Sequence, residues 1–104
     1  PELVSGSPIM KKYFVYILTN KNHTVLYIGM TGNLRERILK HRVGNAAPFM
    51  TQYNYKKLVY FCRCLDKVEA LKKEKQIKNW RREWKITLIE KQNPLWEDFF
   101  DYLV

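Results

Sequence analysis

Residues 13–20, YFVYILTN, and 24–31, TVLYIGMT, are runs of aromatic and β-branched side chains around the polar Asn20–His23 stretch. This pattern predicts an antiparallel hairpin with both faces largely covered. Gly29 interrupts the second run, although glycine adds no packing to a strand and weakens it entropically. Asn33 followed by Glu36 has capping-box spacing and predicts a helix through about Val43, with Leu34, Ile38 and His41 on one face and Gly44 as its stop. Residues 45–55, NAAPFMTQYNY, lack a clear period and include Pro48, so they read as a long loop and a candidate substrate contact. A third strand is expected over KLVYFCRCL, residues 57–65, followed by a second capping box at Asp66 and Glu69. The helix it opens should reach Arg81 or Arg82, and a shorter helix should cover Glu83 to Lys91. After Asn93-Pro94, the spacing of Trp96, Phe99, Phe100 and Leu103 predicts an amphipathic tail folded back onto the body. The expected fold is mixed α+β, with a small three-stranded antiparallel sheet flanked by helices.

A chain of 104 residues with 46% hydrophobic content can bury one small core, not two. Residues 1–9, PELVSGSPI, have no periodicity and read as an appended remnant ahead of a native start, leaving a single domain over 10–104 with an aromatic C-terminal tail. The balance of 19 Lys and Arg against 10 Asp and Glu, a net charge of +9, calls for a polyanionic partner. Between Arg35 and Lys85 the counts are 15 and 5, which concentrates the positive charge mid-chain and favours nucleic acid. No apolar stretch approaches membrane-spanning length and no secretory signal is recognisable, so the expectation is a soluble, cytoplasmic protein without a membrane partner. Cys62 and Cys64, two apart on a strand, share a face and cannot easily bridge, so they are expected as reduced core thiols with no structural metal.

Polar residues intrude where the helical pattern calls for apolar ones. Glu74 lies four residues after Ala70 and three before Ile77, on the apolar stripe, where an unpaired carboxylate is expensive. Arg37 follows Leu34 by three and precedes His41 by four, placing guanidinium and imidazole side by side. The residues alone leave two readings open: Arg37 and Glu74 pair across two helices, or both border a pocket.

VYI at 15–17, YIG at 27–29, NLRERILKH, ALKKEKQIKNW and Asn93-Pro94 together resemble the ordered motifs of the GIY-YIG nuclease superfamily. The likeness is nearest to its small single-domain bacterial members and spans nearly all of residues 10–96. Val15 stands where the first motif has glycine, while Tyr16 is retained. The resemblance implies an active site of Tyr16, Tyr27, Arg37, His41, Glu74 and Asn93. It also implies divalent-metal-dependent hydrolysis of phosphodiester bonds by in-line attack of water, in DNA repair or processing. Glu74 would hold Mg2+ or Mn2+, suited to a hard oxygen ligand. Arg37 would stabilise phosphoryl charge, Tyr16 would activate water if its phenolate were favoured, Tyr27 and His41 would position water or relay a proton, and Asn93 would orient its neighbours. Gly29 would leave space beside the reactive phosphate. Backbone contacts are expected from Arg35, Lys40, Lys72, Lys73, Lys75 and Lys78, with Phe49 and Tyr53 stacking on bases. The partner is nucleic acid, foremost DNA, and a homodimer or protein partner is a further expectation for so small a domain. The alternatives are a catalytically weak nucleic-acid-binding module of the same fold, and a protein-interaction domain using the aromatic tail.

Overall fold

The computed structural model describes residues 12–42 and 57–103, except the side chains of His41 and Arg42. Residues 1–9 and the 45–55 loop, with Phe49 and Tyr53, lie outside the described residues. Strands β1 (Tyr13–Thr19), β2 (Leu26–Thr31) and β3 (Lys57–Cys64) form an antiparallel sheet in the order β2-β1-β3. Central β1 is buried from Val15 to Thr19, which explains its near-continuous apolar sequence: both faces are covered. Val15 and Ile17 point into one core with Ile28, Val59, Ala70, Ile77 and Ile89, whereas Tyr16 and Leu18 point into another with Leu34, Ile38 and Leu58.

Helix α1 (Leu34–Arg42) covers the Tyr16 face, and α2 (Lys67–Lys78) and α3 (Arg82–Gln92) cover the Val15 face. Asn33 caps α1 by accepting from the Glu36 amide at 3.2 Å, and Asp66 caps α2 by accepting from Glu69 N at 2.8 Å. The Glu69 carboxylate reaches back to Leu65 N at 2.7 Å, one residue further than in the usual capping box. Helix α2 ends at Lys78, earlier than the periodicity predicts. Asn79 and Trp80 close the last turn by donating to Gln76 and Ile77 carbonyls at 3.2 and 3.1 Å, and extended Arg81 starts a new direction. Trp80, three residues after buried Ile77, packs against the same core.

The tail also departs from the sequence expectation. It is not one amphipathic helix: Trp96, at φ 55°, stacks on His23 at 4.6 Å and belongs to the Val15 core, whereas Phe99, Phe100 and Leu103 pack on the Tyr16 core through a short 3-10 turn (Phe99–Tyr102). Three of its four aromatics are thus folded into the body, and Tyr102 stays exposed.

Strand β3 carries an irregularity with a consequence for Asn93. Ile17 pairs with Tyr60 and Leu18 with Leu58, so Val59 is the extra residue of a bulge. Its carbonyl accepts from the Asn93 side-chain amide at 3.1 Å. Alongside, Gln92 exchanges two hydrogen bonds with the Phe61 backbone at 3.3 and 3.0 Å, and Asp98 accepts from Leu58 N at 3.2 Å. These side chains occupy an edge that would otherwise offer itself for strand pairing.

Candidate active site

The β1–β2 register sets Tyr16 directly opposite Gly29 and Leu18 opposite Tyr27. Directly opposed residues share a sheet face, so Tyr16 and Tyr27 lie on the α1 side with ring centroids 6.2 Å apart. A Cβ at Gly29 would stand 2.6 Å from the Tyr16 hydroxyl oxygen, 2.7 Å from its Cζ and 3.0 Å from Tyr27 Cε2. The glycine therefore makes room for the end of the Tyr16 phenol. The space expected beside a phosphate is filled by a side chain of the site itself.

Arg37 lies on the exposed side of α1, near enough for its positive charge to act on the Tyr16 phenol. Tyr16 is 0% exposed. Burial, reinforced by Tyr27, pushes its phenol well above the ordinary tyrosine value of about 10, and the Arg37 guanidinium only partly opposes this. At neutral pH Tyr16 is thus a neutral hydroxyl, held at the floor of the site beneath an exposed cation. A phenolate base would need additional positive charge from a bound ion or substrate environment.

The other expected site residues occupy different settings. His41 lies one turn beyond Arg37 on α1, and its side chain lies outside the described residues. Glu74, 15% exposed, lies on α2, whose buried residues Ala70 and Ile77 face the opposite side of the sheet from Tyr16. Among the described residues its ion partner is Lys78 at 3.2 Å, not Arg37. Asn93 is 3% exposed and committed to backbone: its amide donates to the Val59 and Glu97 carbonyls at 3.1 and 2.8 Å, and its oxygen accepts from Glu97 N at 2.8 Å. The structure thus gathers Tyr16, Tyr27 and Arg37, and gives Asn93 a fixed place at the β3 edge.

Of the expected nucleic-acid contacts, Lys40, Lys72 and Lys75 are exposed, Lys73 is half-buried, and Lys78 is exposed but tied to Glu74. Arg35 is also exposed, yet it donates to the Leu103 carbonyl at 3.2 Å and lies over the Phe100 ring at 5.6 Å, so it anchors the tail. Phe49 and Tyr53 are among the residues not described. Among the described residues no group of three or more His, Cys, Asp or Glu comes together. Glu74 would offer a cation one carboxylate, which is paired with Lys78 here. No helix among the described residues is long and apolar enough to cross a membrane.

Sequence reasoning passes over Trp84, an indole 55% exposed that faces Trp80 edge-on at 6.2 Å. The available signal was the stretch NWRREW, two tryptophans around two arginines.

A model of the GIY-YIG catalytic domain matches residues 12–87. A UPF0213 protein of Staphylococcus haemolyticus is 35% identical over 83 residues, covering 80% of this chain and 100% of the relative. One of Clostridium perfringens is 37% identical over 86 residues, covering 83% of this chain and 91% of the relative. The solution NMR structure of a UPF0213 protein from Bacillus halodurans is similar in fold, with a TM-score of 0.52 and 28% identity over 84% of this chain and 92% of that one.

Proposed function

The chain belongs to the GIY-YIG catalytic-domain family, a nuclease superfamily, and we propose that it is an endonuclease hydrolysing phosphodiester bonds in DNA with a bound magnesium or manganese ion. The observation that carries this reading is the cluster of the buried Tyr16 phenol, fitted against Gly29 and beside Tyr27, with the exposed Arg37 guanidinium near enough to act on it. A forked cation above a fixed hydroxyl suits a phosphoryl group: the guanidinium binds two non-bridging oxygens and stabilises the charge that grows as water attacks. Tyr16, kept neutral and buried, forms the floor against which Arg37 and Tyr27 are set. Tyr27, half-buried beside Tyr16, holds that water, and His41 takes or returns a proton. Glu74 would hold the ion, whose chemistry when bound is to neutralise phosphate charge and stabilise the departing oxygen. Asn93 acts at one remove by fixing the β3 bulge and the turn that follows α3.

The test is incubation of the full chain with labelled duplex, flap, junction, single-stranded and RNA substrates, with and without magnesium or manganese. Cleavage that requires the ion and falls roughly 10²-fold in Arg37→Lys, with the melting temperature unchanged, supports the reading. The position of Glu74, off the Tyr16 side of the sheet and paired to Lys78, favours one second reading, a nucleic-acid-binding module with weak turnover. Binding across the panel without cutting would establish it.

A further inference from the structure

Helix α3 presents Trp84, Thr87, Leu88 and Lys91 at helical spacing along one stripe, and with Trp80 they line a groove of about 270 Å3. The groove belongs to the layer that covers the Val15 face, behind the sheet from Tyr16, because Trp80 and Leu88 pack against that core. It lies across the sheet from Tyr16 and Tyr27. Its walls combine flat aromatic surface with positive charge. Trp80 is half-buried and fixed by the core, Trp84 remains 55% exposed, the Arg81 guanidinium lies over the Trp84 ring at 5.9 Å, and Lys91 closes one end. Glu83 and Glu90 fall on the adjoining stripe, and Glu90 is engaged by the Trp96 indole N–H at 2.8 Å.

A core-facing role explains Trp80 but not Trp84, since a tryptophan more than half exposed on a helix surface gains little from its own burial. An exposed indole flanked by an arginine and a lysine complements a ligand with a flat π face and a negative charge one bond chain away. We propose that the Trp80–Trp84 groove is a stacking site for an unpaired base of single-stranded nucleic acid, with Arg81 and Lys91 on the flanking phosphates. This rests on the reading of the protein as acting on nucleic acid and adds a substrate class: molecules with a single-stranded segment, held on the opposite side of the sheet from Tyr16. A blunt duplex keeps its bases stacked and has no face to offer the indole.

The experiment measures binding of the full chain to a short labelled oligothymidylate by fluorescence anisotropy, without divalent ions, so that nothing is cut. An abasic strand of the same length and a blunt duplex serve as comparisons. Trp84→Ala should weaken oligothymidylate binding about tenfold, leave the abasic strand and duplex unchanged, and retain the parent circular dichroism; Trp84→Phe should recover most of the loss. Unchanged oligothymidylate affinity in Trp84→Ala overturns the proposal. So does an equal loss on the abasic strand and duplex, which would mean charge rather than stacking. A variant altered only in sedimentation would overturn it in favour of a contact between protein surfaces. A parent chain that cuts duplex but shows no Trp84-dependent binding would sink the groove and leave the nuclease reading standing, whereas Trp84-dependent binding without cleavage on any substrate would do the reverse.

Discussion

Gly29→Ala places one methyl group where the structure has no room for it. Gly29 lies within strand β2 with a backbone conformation open to any L-residue, so its presence is a matter of space. Were the space open, alanine would stabilise the strand by about 0.5–1 kcal/mol, because it loses less conformational freedom on folding. The added Cβ instead meets the Tyr16 hydroxyl at 2.6 Å and Cζ at 2.7 Å, well inside normal contact. Tyr16 is fully buried and its ring cannot swing into solvent, so the strain must be relieved by off-rotamer side chains or a shift of β1 against β2. Overpacking of this kind costs about 1–3 kcal/mol. Setting one effect against the other gives about 0–2.5 kcal/mol, and contacts this short to a fully buried ring place the net destabilisation in the upper half, about 1–2.5 kcal/mol. For a domain near this size that is roughly 4–8 °C of melting temperature per kcal/mol. Circular dichroism melts and urea titrations of Gly29→Ala, Tyr16→Phe and the double variant measure it. The double variant should recover part of the loss, since removing the hydroxyl relieves the shortest contact but not that at Cζ. A Gly29→Ala protein as stable as the parent, or more stable, would refute the reasoning: glycine would then serve neither packing nor conformation at this position.

Asn93→Ala should destabilise the fold by roughly 2–4 kcal/mol in a urea titration, because it strips partners from the Val59 carbonyl and the Glu97 backbone; a loss of cleavage at unchanged stability would instead place its amide on the substrate. Glu74→Gln should lose nearly all cleavage while binding DNA as well as the parent does, with stability down by only about 0.3–0.5 kcal/mol for its pair with Lys78. If activity survives the exchange in a magnesium assay, Glu74 holds no ion. His23 accepts from Lys57 Nζ through Nε2 at 3.0 Å, and burial followed by the Lys57 charge lowers its pKa below the ordinary 6.5. A depressed folded-state value means that its contribution is full above 6.5 and is lost as pH falls through the folded value. Melting temperature should therefore drop between neutral and mildly acidic pH in the parent, and less in His23→Asn, which tolerates the φ of 57°.

The strands, the order of elements and the caps at Asn33 and Asp66 were legible because each is a local signal: a run of β-branched residues, a change of period, an acceptor side chain before a helix. The end of α2 was not. Nothing in ALKKEKQIKNW marks Lys78 as the last helical residue, since Asn79 caps through its backbone and Trp80, three after buried Ile77, continues the helical spacing. The tail misled for a related reason. Trp96, Phe99, Phe100 and Leu103 do have helical spacing, but the sheet offers them two cores on opposite faces, and Trp96 goes to one while the other three go to the second.

The site shows the same division at higher resolution. Arg37 and Glu74 stood out as polar residues on apolar stripes, and spacing alone allowed them to pair with each other. The structure separates them by assigning each its own neighbour, Tyr16 for Arg37 and Lys78 for Glu74. That outcome depends on strand register, which no local pattern encodes: a shift by one residue between β1 and β2 would turn Tyr16 away from the face that carries Tyr27 and Gly29. The register also settles what Gly29 is for. Opposite it stands the bulkiest fully buried side chain of the central strand, and the missing methyl group is what lets that side chain reach across β2 with its hydroxyl under Arg37. Tyrosine and glycine thus act as one unit in which the small residue positions the large one. If the chain cuts nucleic acid as proposed, substitutions at Gly29 should lower cleavage by displacing the Tyr16 ring before they unfold the chain.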